Sequence, residues 1–167
     1  MNIYYHPLYT KGIDSKSTFP KERYDLIKDA LAVNELSNTI AIKTPNKVVI
    51  NDVYRAHSKD YVDAFLNSDL SEKQVREIGL KPWSDKIIDR TLFLTGGSVS
   101  ALYDIYKGAP VSANMAGGTH HAFSERGSGF CIFNDIAICA IKAIEDYNYN
   151  RVLIIDLDVH QGDGTAS

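Results

Sequence analysis

The sequence predicts an α/β protein built on a mainly parallel sheet, and three observations carry that expectation. Short apolar or β-branched runs at residues 3–5, 39–43, 111–115 and 151–157 alternate with longer stretches whose apolar residues recur at helical spacing. The order strand, helix, strand between residues 111 and 157 argues for parallel crossover connections. Two polar clusters follow directly on the last two strand candidates, where open parallel sheets place their ligands.

Taken in order, residues 3–5 form the first strand candidate, and a polar stretch of Lys, Ser and Gly through Thr18 reads as loop. Pro20 opens a helix, since proline is tolerated in a first turn, with Tyr24, Ile27, Leu31 and Leu36 as its apolar stripe. Residues 39–43 read as a second strand, closed by Pro45. Over residues 51–70, Val53, Tyr54, Tyr61, Val62, Phe65 and Leu66 recur as on one helix. Ser84 begins the longest helix, which contains Ile87, Ile88, Leu92, Leu94, Val99, Leu102 and Ile105. Gly96-Gly97 inside it lowers helix stability by roughly 1 kcal/mol per glycine, so the pair predicts another element pressed against that backbone. The strand candidate at 111–115 runs into Gly117-Gly118. Asn134-Asp135 signals an N-cap for a helix over 136–147, apolar on most faces and expected to be buried; residues 148–150 end it. The run Val152-Leu153-Ile154-Ile155 within 151–157 is expected to be a strand covered on both faces. Neither a repeat nor a low-complexity linker interrupts residues 1–167, which predicts no domain boundary within the chain.

Composition narrows the function. A chain of 167 residues with 44% hydrophobic and 23% charged residues has average globular character, which excludes a disordered tail, a collagen-like fibre and a disulfide scaffold. Its formal net charge of -3, from 18 Lys+Arg against 21 Asp+Glu, supplies no basic field, so direct nucleic-acid binding is not expected. Cys131 and Cys139 have apolar neighbours and no zinc-knuckle spacing, which suits free thiols in a reducing compartment. The first residues lack the cationic start and apolar core of a signal peptide. The longest apolar run, residues 136–141, is six long, far short of a membrane span. These features predict a soluble cytoplasmic protein.

The two polar clusters carry the chemistry. In Asp156-Leu157-Asp158-Val159-His160-Gln161-Gly162-Asp163-Gly164, an extended period of two projects Asp156, Asp158 and His160 to one side. Two carboxylates and an imidazole suit a divalent metal better than a packed core, because unpaired buried carboxylates are costly. Gly162 and Gly164 allow a reversal that returns Asp163 toward the site. The bland alternative is a solvated loop whose Asp residues cap a following helix. In the other cluster, Gly117-Gly118-Thr119-His120-His121, a glycine turn can aim adjacent imidazoles into one pocket. Histidine is the natural acid or base near neutrality, and Asp156 and Asp163 are the available carboxylates to orient the rings. A metal-dependent hydrolase follows from spacing; the substrate does not.

The blocks Gly117-Gly118-Thr119-His120-His121-Ala122, Gly129-Phe130-Cys131-Ile132-Phe133-Asn134-Asp135 and residues 156–164 closely resemble the zinc-dependent histone deacetylase family. Fainter similarity extends through Gly96-Gly97, His57 with Tyr61, and Pro20 with Arg23. Gln161 and Pro82-Trp83 are more similar to the class IV branch and its bacterial relatives, whereas Asp163 fits most of the family. The resemblance implies a three-layer α/β/α, arginase/deacetylase-like fold that is incomplete in this chain, residues 1–167 being the N-terminal part of a single catalytic domain. It implies zinc held by Asp158 and His160, with His121 as general base paired to Asp163 and His120 held by Asp156. It further implies Gly129 and Phe130 lining an acyl-lysine tunnel, a structural potassium site near Asp156, Asp158 and the backbone of His160, and Arg23 beside an internal exit channel. The implied substrate is acetylated lysine in protein or a small acetylated amine.

The family's third ligand and its transition-state tyrosine lie downstream of these blocks, so the resemblance implies a chain inactive alone, completed by a C-terminal half or by another copy. Two alternatives stand beside this reading: an arginase-like hydrolase with two manganese ions, and a non-catalytic truncated product.

Overall fold

The computed structural model describes residues 1–33 and 38–167; the Leu36 position of the expected apolar stripe lies outside them. The described residues divide into two compact units, Met1–Val48 with Lys81–Gly117, and Val49–Leu80 with Gly118–Ser167.

The first unit holds the sheet. Strands β1 (Asn2–Tyr4), β2 (Ala41–Lys43) and β3 (Ser112–Asn114) pair in the order β2-β1-β3, both ladders parallel. Ile3 faces Ile42 on one side and Ala113 on the other, and is buried. A short helix, α1 (Leu8–Lys11), occupies the stretch expected to be loop and buries Tyr9 completely. Helix α2 (Arg23–Val33) follows Pro20, with Tyr24 buried but Ile27 exposed.

Helix α6 (Ile87–Tyr106) starts three residues after Ser84 and packs against β1, β3 and α1. Here the sequence's demand for a close approach is met. A Cβ on Gly96 would lie 1.9 Å from the carbonyl oxygen of Asn46 and 2.8 Å from the Val48 nitrogen. The Val48 N–H donates to the Leu92 carbonyl at 3.0 Å, which ties that strand of chain onto α6. Asn114 of β3 donates to the Leu94 carbonyl at 2.8 Å and to Ser98 Oγ at 2.9 Å, and accepts from the Tyr9 hydroxyl at 3.0 Å.

The second unit is helical, with α3 (Ile50–Val53), α4 (Lys59–Leu66), α5 (Glu72–Ile78), α7 (Asp135–Glu145) and α8 (Asp163–Ala166). The single helix expected over 51–70 is two helices. The chain leaves α3 because His57 and Ser58 are claimed by tertiary bonds: His57 turns to Phe123 and Asn134, and the Ser58 N–H donates to Ser124 at 2.9 Å. The core gathers Phe65, Tyr61 and His57 around Phe133, with edge-to-face rings at 5.1 Å for Phe65 and 6.1 Å for Tyr61.

Two expectations are corrected in this unit. Helix α7 is buried along only part of its surface, at Asp135, Ile138 and Ala143, while Ile144 is exposed; its apolar faces exceed what this unit covers. Residues 151–157 form no strand among the described residues, and Leu153 is 82% and Leu157 91% exposed. A strand exists only through its ladder, and β-branched composition supplies none without a neighbouring chain to pair with.

Gly96→Ala is expected to destabilise the full-length protein by about 1–3 kcal/mol, despite the roughly 1 kcal/mol of helix propensity that alanine gains. Denaturant unfolding checks this; an unchanged midpoint would refute the close approach.

Candidate active site

The second unit contains Gly118-Thr119-His120-His121, residues 156–164 and the Gly129-Phe130 block, whereas Gly117 belongs to the first. The turn before the histidines is closed by the His120 N–H, which donates to the Gly118 carbonyl at 2.9 Å. From it, His120 Nδ1 reaches Asp156 Oδ2 at 2.6 Å, and His121 Nδ1 reaches Asp163 Oδ1 at 2.8 Å. The two rings lie 4.2 Å apart between centroids. His120 is buried, His121 and Asp163 are half-buried, and Asp156 is exposed.

Each bond holds its carboxyl below the usual carboxylate range. For Asp156 the hydrogen bond from His120 is the main cause, and for Asp163 the hydrogen bond from His121. An ionised carboxylate only accepts, so Nδ1 carries the proton in each pair and Nε2 of a neutral ring keeps its lone pair. That tautomer is the one a base needs.

Asp158 and His160 lie in the exposed loop that follows. Asp158 Oδ1 is 2.9 Å from His160 Nδ1, and the His160 ring centroid is 6.0 Å from that of His121. The Asp158 carboxyl too is held low, chiefly by the His160 backbone N–H. A carboxylate oxygen and an imidazole nitrogen are the donor types zinc takes, but here the ionised carboxylate accepts the Nδ1 proton, so the two groups are bonded to each other. Among the described residues, no group of three His, Cys, Asp or Glu gathers to hold a metal. The solvated-loop features weighed from the sequence are present as well: Asp156 accepts from the Asp158 N–H at 3.0 Å, Asp158 from the His160 N–H at 2.8 Å, and Asp163 begins α8.

Gly129 and Phe130 stand on α5, an element the sequence reading passed over. The Gly129 N–H donates to Glu77 at 3.2 Å and the Phe130 N–H to Ile78 at 2.7 Å, both carbonyls at the C-terminal end of α5. The signal was available: Ser71 and Gln74 form a capping box and Gly79 closes the helix. Both residues have positive φ, 51° for Gly129 and 69° for Phe130, and the Phe130 ring is exposed. A Cβ on Gly129 would lie 2.6 Å from His121 Cδ2, so the missing side chain makes room for the imidazole. Cys131 and Cys139 form no disulfide among the described residues, and burial pushes the Cys139 thiol well up, which makes it a poor nucleophile.

Behind the histidines sits a further histidine. His57 Nδ1 is 2.9 Å from the Phe123 carbonyl, and its Nε2 accepts the Asn134 N–H at 2.8 Å. A carbonyl cannot donate, so His57 is neutral and protonated at Nδ1. Asn134 in turn caps α7 by accepting the Ala137 N–H at 3.0 Å, and donates to the Ala122 carbonyl at 3.2 Å and Thr165 Oγ1 at 3.0 Å. The Thr165 N–H reaches the His120 carbonyl at 3.0 Å.

Gly129→Ala is expected to displace His121 and abolish its Nδ1–H bond to Asp163, seen as loss of that downfield imidazole proton by NMR. Retention of the resonance would show that the glycine is not needed there. His57 gives a pH prediction. Burial pushes its imidazole below the ordinary value, so the unfolded chain binds the proton more readily than the folded one. Its stabilising contribution is full above about pH 6.5 and falls away as pH drops from there toward the lower folded value. Denaturant midpoints of the full-length protein should decline with acidification from about pH 7 to 5, and His57→Gln, less stable throughout, should decline less. An undiminished slope in the variant would assign the titration elsewhere.

Comparison with known proteins gives this geometry a context. The family model of the histone deacetylase domain matches residues 17–167. An uncharacterized protein of Picosynechococcus sp. is 40% identical over 166 residues, covering 98% of this chain and 54% of its own length. The histone deacetylase clr6 of Schizosaccharomyces pombe is 35% identical over 144 residues, 80% of this chain and 35% of its own. The acetoin utilization protein AcuC of Staphylococcus aureus is 32% identical over 171 residues, 98% of this chain and 44% of its own. This chain therefore spans about half, or less, of the length of these curated relatives. The parallel sheet with its helices agrees with an arginase/deacetylase-like α/β fold, and the chain belongs to the histone deacetylase family.

Proposed function

We propose that residues 1–167 are the N-terminal part of a single catalytic domain that hydrolyses acyl-lysine, or a related acetylated amine, in a zinc-dependent reaction. The observation that carries this reading is the pair of adjacent imidazoles, each with Nδ1 on its own carboxylate. Membership of the deacetylase family supplies the reaction class.

His121 acts as the base. Asp163 holds its Nδ1 proton and stabilises the imidazolium that forms, so Nε2 takes a proton from the attacking water. His120, fixed by Asp156, is the second imidazole beside the reacting carbonyl, and a protonated histidine returns a proton to the departing amine. Asp158 and His160 would hold zinc together with a ligand from outside these residues, because three protein ligands are the rule at catalytic zinc. Bound there, zinc supplies a Lewis acid that polarises the acyl carbonyl. Asp156, Asp158 and the His160 backbone would also border a structural potassium ion. Gly129 and Phe130 line the acyl-lysine channel, and an apolar wall favours the neutral acyl-lysine over a charged lysine, whose ammonium is costly to desolvate.

Two ligands make a weak catalytic zinc site, so the 167 residues by themselves are expected to be inactive. Full-length protein tests the whole reading. His121→Ala is expected to lower acetyl-lysine turnover by about 10²–10⁴-fold with zinc still bound. Asp158→Asn and His160→Ala should each abolish zinc retention, whereas Asp156→Asn should keep part of the zinc and lose activity. Two manganese ions per site, or equal zinc loss in all three variants, would overturn the assignment.

A further inference from the structure

We propose that Asp135 is a positioning residue for the histidine pair: its buried carboxylate clamps Gly118 and Thr119, and so sets the turn that aims His120 and His121 at their carboxylates. Only the catalytic consequence rests on the function proposed above; the clamp itself is geometric.

The Gly118 N–H donates to Asp135 Oδ2 at 3.3 Å and the Thr119 N–H to Oδ1 at 2.8 Å. Thr119 Oγ1 lies 2.5 Å from the same Oδ1, and the Asp135 N–H donates back to Thr119 Oγ1 at 3.2 Å. A carboxylate only 3% exposed has given up its hydration, and the Gly118 and Thr119 N–H donors replace it. The one Thr119 hydroxyl proton is shared between Oδ1 and the Phe133 carbonyl, also at 2.5 Å. The donors are consecutive along the chain and end immediately before His120. Within the turn itself the backbone offers only the 2.9 Å bond from His120 to Gly118 and a longer 3.4 Å bond from Ala122 to Thr119. A shift of Thr119 therefore moves both imidazoles.

Asp135 can serve as a fixed point because it is the first residue of α7, behind the Asn134 cap whose N–H is held by buried His57. A group mounted on a helix end is held more closely than one on a loop. Asparagine is a poor replacement. Its amide offers one acceptor where donors arrive at both oxygens, so one donor must face an NH2.

The test uses full-length protein and compares Asp135→Asn with Ala143→Gly, which cuts a buried side chain from the same helix outside the clamp. The first readout is the pair of downfield imidazole Nδ1–H resonances of His120 and His121. They are expected to be lost or shifted upfield in Asp135→Asn and kept in Ala143→Gly. The second is turnover of an acetyl-lysine peptide, expected to fall about 10- to 100-fold in kcat with KM within about threefold for Asp135→Asn. Ala143→Gly should keep its kcat while melting at a lower temperature. Unchanged imidazole resonances in folded Asp135→Asn overturn the proposal whatever the turnover. A wild-type protein without turnover sinks the deacetylase reading instead, and the resonances still decide the clamp. If Asp135→Asn does not fold, Asp135→Glu keeps the charge but moves both oxygens away from the Gly118 and Thr119 N–H groups, and unchanged resonances there overturn the proposal equally.

Discussion

Consecutive side chains on a regular backbone diverge, so two neighbouring imidazoles serve one site only if the chain between them is bent and held. The rest of the second unit depends on that constraint. His120 and His121 bring their rings to 4.2 Å while each keeps its own carboxylate. The carboxylates arrive from residues 156 and 163, far along the chain, and the turn is tied from behind by Thr165 and Asp135. Space for the second ring comes from Gly129, whose backbone hangs from the end of α5. No single element builds the arrangement; several short ones each supply one restraint.

Polarity is placed accordingly. His57 and Asn134 are buried polar residues with both His57 ring nitrogens engaged. Buried groups of this kind add little net stability when satisfied and cost a great deal when one partner is lost. They therefore specify geometry more than they add cohesion. The ionic cluster on the far part of α7 is different in kind. Arg55 and Lys142 share Asp52 and Asp146, and the cluster joins α3 to α7.

Much of this was legible in the residues. Gly96-Gly97 announced a close approach, and β3 and the Asn134 cap fell where pattern and capping chemistry put them. Asp156 and Asp163 stood out in the sequence as the available carboxylates, and the family resemblance, not spacing, implied which ring each one meets. What escaped has physical reasons. Tertiary bonds to His57 and Ser58 split the expected long helix, and helical spacing cannot register such bonds. Helix α5 is short and mostly polar, so its apolar period is weak, although its Ser71–Gln74 box was in plain view. The clamp by Asp135 was hidden because an Asp at a helix start already has a local explanation in the helix dipole. The run at 151–157 misled in the opposite sense: its composition describes the environment a strand would want, and pairing is a property of neighbours.

That same run has a bearing on how the protein is handled. From Val152 to Val159 it carries neither Pro nor Gly, and its β-branched and leucine side chains stand largely in solvent. Such a stretch is a template for intermolecular cross-β pairing, and natural sequences interrupt such stretches with charged gatekeepers. Here the interrupting charges are Asp156, which bonds His120, and Asp158, which bonds His160. Neutralising either one removes a histidine's hydrogen-bond partner and a solubility device together. Sedimentation at matched concentration separates the two effects, since loss of a histidine's partner leaves the particle size alone and loss of a gatekeeper does not.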